Sequence, residues 1–280
     1  MSQIVQRPYV ATSGHLKVEV HASREKAGQS AASAVASALR DAAKERKAFG
    51  VIFATGASQL VALEALSRIQ QLPWHCVQGF HMDDYVGLPA NHPASFHAYL
   101  RENLPQRGQM KSFMELDGNA ADLEKMCRNY STALRAAEPQ ICMLGIGENG
   151  HLAFNDPAEA NFYDPFDIKL VHLDAVCRRQ QAAEGWFASP EDVPDTAITL
   201  TIPTLLRVPK LIVSVPGKRK ALIVRRTLQE SISTECPSTI LRTHADTTVY
   251  LDEDSASEIQ DLLESPSAQS QTFHVREVSS

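Results

Sequence analysis

The sequence predicts an α/β fold, a mostly parallel sheet with helices on both faces. Short apolar runs alternate with longer stretches of helical periodicity, the pattern of strands joined by crossover helices. Two motifs rich in glycine or carboxylate directly follow apolar runs, where open α/β sheets gather their binding loops. Hydrophobic residues make up 44% and charged residues 21%, the balance of a soluble globular chain.

The elements are read in order. Residues 16–21 alternate apolar and polar side chains and predict a first strand. Residues 23–47, rich in Ala, Lys, Arg and Glu, predict a long helix capped by Ser23. Residues 51–54 form a buried strand. Leu60, Leu63, Leu66 and Ile69 give residues 58–70 a helical stripe. Residues 76–80 predict a strand, 93–104 and 120–137 helices, and 141–144 another buried strand. Strands at 198–202, 211–215 and 247–251, with a helix over 218–230, complete the alternation. Residues 155–195 carry weak periodicity, and 188–195 hold two prolines. An active-site flap and a plain surface connection suit this region equally.

The chain has 280 residues and reads as one domain over 1–264 followed by a Ser-rich, flexible tail over 265–280. A net charge of -6 argues against a general nucleic-acid binder. The five cysteines form no CxxC pair, which suits a reducing cytosol and disfavours zinc. No signal-peptide pattern opens the chain and no run is long enough to span a membrane. The expected setting is the cytoplasm.

Four motifs carry chemistry. The first is the strand–helix junction Ala54, Thr55, Gly56, Ala57, Ser58 and Gln59. Free N–H groups at a helix start attract anions, and the hydroxyls of Thr55 and Ser58 add donors. An ordinary turn with a serine cap fits as well, and the Lys-Ser/Thr ending of a P-loop is absent. The second is the adjacent acid pair Asp83 and Asp84, just past a buried strand. In a crevice, burial and the neighbouring charge would raise one carboxyl towards a useful proton-transfer range. In the plainer reading, Asp83 caps a turn and Asp84 faces water.

The third motif places Gly145, Gly147 and Gly150 before His151, with Asn149 between and Asn155, Asp156 and Pro157 after. Its glycine spacing imitates a dinucleotide fingerprint. That fingerprint opens a helix, whereas Asn155 to Pro157 interrupts one, and the motif lies mid-chain rather than in the first βαβ unit. A titratable imidazole beside such a loop favours proton transfer. The fourth is Gly217 followed by Lys218, Arg219 and Lys220. Cations at a helix start oppose the helix dipole, which favours a bound anion.

Together, the run from Met82 through Asp83, Asp84 and Tyr85 to Leu88 and the run from Gly145 to Pro157 resemble the glucosamine-6-phosphate deaminase/isomerase family, which includes the 6-phosphogluconolactonases. The resemblance covers about residues 51–251, and Asn155 to Pro157 favours the deaminase branch. It implies a modified Rossmann-like fold, no cofactor and no metal. It also implies a sugar-phosphate substrate: deamination and isomerisation of glucosamine 6-phosphate to fructose 6-phosphate and ammonia. Asp83 then matches the proton-transferring aspartate, His151 the ring-opening histidine and Asp156 a glutamate of its relay. Lys220 and the loop from Thr55 to Ser58 match the phosphate site, to which the family adds a flap arginine. Arg178 or Arg179 is expected there, with Asp84 and Gly147 also against substrate.

Two positions depart from the family pattern. Asn149 stands where its deaminases carry Asp, and Asp156 is one methylene shorter than the usual glutamate. An Asn can hold an imidazole but cannot stabilise its positive charge. A phosphosugar lactonase and a catalytically weak sugar-phosphate sensor are therefore the alternatives. Some hexameric members are activated by N-acetylglucosamine 6-phosphate at a subunit interface built from a Ser, an Arg and a Lys. Here Lys169 fits that pattern, but Asp167 and Glu159 fall near the other two positions, which predicts no such activation. The sequence leaves a homo-oligomer open.

Overall fold

The structure is a computed structural model and describes residues 9–11, 16–89, 91–264 and 273–275. Most of the tail over 265–280 lies outside the described residues; within it, β12 (Phe273–Val275) pairs antiparallel with β1 (Tyr9–Ala11). Among the described residues the main sheet has seven strands: β2 (Leu16–His21), β3 (Phe49–Phe53), β4 (Val77–His81), β6 (Ser112–Met114), β7 (Ile141–Leu144), β10 (Lys210–Ser214) and β11 (Thr247–Asp252). Their spatial order is β2-β11-β10-β7-β3-β4-β6, and all neighbours are parallel. Parallel neighbours need crossovers, which is why helices intervene along the chain.

Period-two alternation sends the strand side chains into two cores. Phe49, Val51 and Phe53 face the layer of α1 (Arg24–Glu45), α2 (Leu60–Arg68) and α3 (Phe96–Asn103), whereas Ile52, Cys142, Leu144 and Val213 face the opposite core. That side is covered by α4 (Leu123–Ala137), α6 (Ile202–Leu206) and α7 (Ala221–Gln229). α1 forms as the sequence predicts: Ser23 accepts from Lys26 N, and Ala27, Ala31, Val35 and Leu39 make its buried stripe. The small residues of that stripe let α2 approach closely, with Val61 against Gly28.

Two expectations need correction. The predicted strand at 198–202 exists as β9 (Thr196–Leu200), but it is not part of the parallel sheet. It is the middle of a three-stranded antiparallel sheet in the order β5-β9-β8, with β5 (Asp83–Tyr85) and β8 (Ile168–His172). Ile202 instead opens α6, with Pro203 in the first turn, where a missing N–H costs nothing. Residues 155–195 are also more ordered than their weak periodicity suggests: they contain β8 and α5 (Ala175–Ala183), capped by Asp174 accepting from Cys177 N. The basic helix starts as a 3-10 turn over Lys218–Lys220 before α7 begins. Among the described residues, no helix is long and apolar enough to cross a membrane.

Candidate active site

The carboxyl ends of the parallel strands open into a cleft lined by the loop after β3, by Asp83, by the glycine loop after β7 and by Lys220 after β10. The predicted site motifs thus converge although they are far apart in the chain. Asp83 sits where β4 ends and β5 begins, and the chain passes there from the main sheet into the small one. Leu200 N donates to Met82 O at 2.7 Å, and Asp83 pairs in register with Thr199, so β9 fixes the backbone at this joint.

Asp83 is 6% exposed and its Oδ1 has no hydrogen-bond partner among the described residues. Burial, then the charge of Asp84, pushes its carboxyl well above the usual range. Asp84 points elsewhere and does not line the cleft. Its Oδ1 accepts from Tyr85 N at 2.8 Å and Phe96 N at 3.2 Å; its Oδ2 accepts from His97 N at 3.3 Å and lies 2.8 Å from His97 Nδ1. It therefore holds the start of α3, and this hydrogen bond raises the His97 pKa. The expected substrate contact from Asp84 is replaced by this structural role, because alternation along β5 turns adjacent side chains to opposite faces.

The glycine loop is built around His151. Its ring lies flat against Gly147: a Cβ there would come within 2.2–2.4 Å of the ring atoms, so only glycine leaves the seat open. Gly147 N donates to His151 O at 3.0 Å and closes the loop. Asn155, fully buried, donates from Nδ2 to Leu152 O and Leu200 O, both at 2.8 Å, and ties the loop to β9. His151 Nδ1 lies 2.8 Å from Asp156 Oδ1. Burial acts to raise the Asp156 carboxyl, but the His151 charge and hydrogen bonds from His151, Asn149 and Cys177 outweigh it, and the net pKa is lowered.

Asn149 does not hold the imidazole as expected. Its Oδ1 accepts from the His151 backbone N at 3.0 Å, and its Nδ2 donates to Asp156 Oδ1 at 2.8 Å. The two departures from the family pattern are therefore coupled. A carboxylate at 149 would face the carboxylate of Asp156, whereas an amide donates to it.

On the anion side, Thr55, Gly56 and Ser58 line the cleft and Ala57 does not. Gly56 has φ of 91°, which turns the loop over the cleft, and its carbonyl accepts from Tyr99 OH at 2.9 Å. Lys220 is 9% exposed, and no carboxylate among the described residues lies within 4 Å of its ammonium. Burial lowers its pKa, while Glu184 and then Glu148 act in the opposite direction. A buried cation without an ion pair at the mouth of a hydroxyl-lined loop is arranged to take an anion.

Arg178 and Arg179 are absent from the cleft lining. On α5 and just past it, Cys177, Gln180, Gln181 and Glu184 recur at i, i+3, i+4 and i+7 and make the inward face, which leaves Arg179 exposed, while Arg178 is half-buried with its Nε buried outside the cleft lining. Gln180 Oε1 accepts from Glu148 N at 2.9 Å, and its Nε2 donates to Glu184 Oε1 at 3.0 Å. Gln181 Oε1 accepts from Tyr85 OH at 2.9 Å. These glutamines were missed in the sequence; their helical spacing was the signal, hidden by the weak periodicity around them.

The chain matches the model of the family described as glucosamine-6-phosphate isomerases/6-phosphogluconolactonase over residues 22–250. It belongs to that family. A glucosamine-6-phosphate deaminase of Exiguobacterium sibiricum is 36% identical over 208 residues, 74% of this chain and 80% of the relative. One of Bacillus cereus is 34% identical over 214 residues, 76% and 79% of the two chains. Among solved structures, a monomeric glucosamine-6-phosphate deaminase superposes with a TM-score of 0.77 at 31% identity, covering 86% of this chain and 99% of that one. The 6-phosphogluconolactonase of Thermotoga maritima gives 0.68 at 18% identity, over 85% and 99%. The lactonase likeness is one of fold. In the strand ends it gathers, the family's modified Rossmann-like sheet is the one described above.

Proposed function

We propose that the chain deaminates and isomerises glucosamine 6-phosphate, yielding fructose 6-phosphate and ammonia. The observation that carries this reading is that one cleft holds a pKa-raised Asp83, its Oδ1 without a partner among the described residues, together with a His151 whose Nδ1 lies 2.8 Å from Asp156 Oδ1. An aldose–ketose shift needs two such groups in different states. One opens the ring by moving a proton between the anomeric hydroxyl and the ring oxygen. The other carries a proton from C2 to C1.

His151, oriented by Asp156, takes the first role. Asp83 takes the second: ionised, it removes the C2 proton, and the resulting acid returns it to C1. With a proton passing from the C2 amine to O1, the product is a C2 imine, which adds water and releases ammonia. Lys220, with Thr55, Gly56 and Ser58, holds the phosphate and so fixes C1 and C2 at Asp83. The kinship with deaminases at 34–36% identity supports the substrate. The unpaired state of all five cysteines agrees with a cytosolic setting.

The test is a turnover screen over hexosamine 6-phosphates and 6-phosphogluconolactone. Ammonia release from glucosamine 6-phosphate is the expected result. Lactone hydrolysis without ammonia release would replace this reading with the lactonase one. Tight sugar-phosphate binding without turnover would replace it with a sensor.

A further inference from the structure

The His151–Asp156 pair has a third neighbour. Cys177, on the first turn of α5, is fully buried and beside Asp156. One donor atom from each of His151, Asp156 and Cys177 lies within 4.8 Å of the other two. Independently, Asp156 Oδ2 is buried and has no hydrogen-bond partner among the described residues. Among the described residues, no other group of three His, Cys, Asp or Glu side chains comes together in this way.

An imidazole nitrogen, a carboxylate oxygen and a thiolate are ligands zinc accepts, and three protein ligands leave a fourth position for water. We propose that His151, Asp156 and Cys177 form an inhibitory binding site for a zinc-like divalent cation. Charge balances in the buried site: one carboxylate and one thiolate neutralise the ion, and the imidazole binds as a neutral ligand. The thiol proton, and any proton on the coordinating imidazole nitrogen, leave to solvent. Nothing is oxidised or reduced. His151 lines the cleft, so the cleft supplies the entry path and the space for the fourth ligand.

Two consequences follow. The ion joins the glycine loop to α5, whose Gln180 already bonds Glu148 N, so a loaded site holds α5 against the cleft. It also occupies the pair assigned to ring opening; this second consequence rests on the function proposed above, whereas binding itself does not.

The experiment uses the full chain with cobalt(II) as a spectroscopic probe and equilibrium dialysis for stoichiometry. The expected result is one cobalt per chain, with a sulfur-to-cobalt charge-transfer band in the near ultraviolet that bleaches on adding zinc. The band should vanish in Cys177→Ser. Cobalt affinity should fall by roughly tenfold or more in Asp156→Asn. Cys127→Ser, which removes a half-buried thiol elsewhere, should leave both unchanged. Metal-free melting curves report folding, and either of the first two variants, if it melts as the parent does, decides the question alone. No band in the parent, or a band that survives Cys177→Ser, overturns the proposal. Zinc should also suppress ammonia release, reversibly with a chelator and more weakly in Cys177→Ser. A parent that releases no ammonia speaks against the proposed function, and the cobalt titration still settles the metal site.

Discussion

The two walls of the cleft treat a buried carboxylate in opposite ways. On one wall Asp83 has an acid for a neighbour and an oxygen without a partner, and its pKa rises. On the other, Asp156 is even less exposed, yet an imidazole, an amide and a thiol surround it and its pKa falls. Burial raises both carboxyls: at Asp83 it is the largest cause and nothing offsets it, whereas at Asp156 the partners outweigh it. Sites that need an acid and a base at one pH separate them by such environments. The Asp83 wall is built by the meeting of two sheets and the Asp156 wall by one self-bonded loop, so they can be perturbed separately.

The largest expected effect is on the Asp83 wall. Asp83→Asn keeps shape but removes the proton carrier, and turnover should fall by roughly a hundredfold or more, with KM little changed. Purified Asp83→Asn protein turning over near the parent rate would strip this wall of its assigned role. Between the walls, Lys220→Ala should weaken sugar-phosphate binding by about 1.5–3 kcal/mol, the range for a charge-assisted hydrogen bond. Calorimetry with the phosphorylated and the non-phosphorylated sugar checks it, since the loss should appear only with the former.

On the other wall, Asn149→Asp restores the residue common in the family's deaminases and should nevertheless slow this chain, by about tenfold, one pKa unit of repulsion at the relay being about 1.4 kcal/mol. It sets a second carboxylate where an amide now donates to Asp156 at 2.8 Å. A faster Asn149→Asp enzyme in steady-state assays would show that the coupled reading of the two departures is wrong.

A smaller effect concerns stability. A carboxyl whose pKa is raised by folding stabilises the fold fully at pH below its unfolded value, and that contribution is lost as pH rises through the folded value. Asp83→Asn should thus match the parent in melting temperature near pH 4 and exceed it increasingly towards alkaline pH. Thermal scans across pH measure the sign; a constant offset would mean the raised pKa does not control stability.

The smallest expected effect is none at all. Lys169 Nζ already donates to Glu159 O at 2.6 Å and lies 3.0 Å from Asp164 Oδ2, while Arg135 and Arg207 bind the 1% exposed side chain of Asp167. N-acetylglucosamine 6-phosphate should leave the rate-versus-substrate curve unshifted.

The parallel sheet was legible because its strands are short apolar runs set between periodic helices, as at residues 141–144 and 51–54. The residues of the motifs at 83, 151 and 220 were legible because carboxylates, histidines and lysines beside apolar strands have no packing explanation. The small antiparallel sheet was not. β5 has three residues, two of them acids, and no propensity argument makes such a segment a strand; it is one because β9 pairs with it. The same holds for α5, whose buried face is Cys177, Gln180 and Gln181 rather than aliphatic, so its period does not show as hydrophobicity. The placement of Arg178 and Arg179 outside the cleft lining was lost with it. Charge drew attention to them, but helix phase decides which side chains reach the cleft.

The joint at Met82 carries a consequence for insertion and deletion. Strand side chains alternate with a period of two, and β5 is pinned to β9 residue by residue. Lengthening or shortening the chain by one residue between β4 and β5 would not move Asp83 slightly. It would offer Asp84 to the cleft and send Asp83 towards His97, exchanging one carboxylate for its neighbour. The doubled acid makes this stretch tolerant of a frame error in composition and intolerant of it in geometry, since each carboxylate would reach its new place from a displaced backbone. Loops elsewhere can gain or lose residues at the surface; here length itself is part of the candidate site.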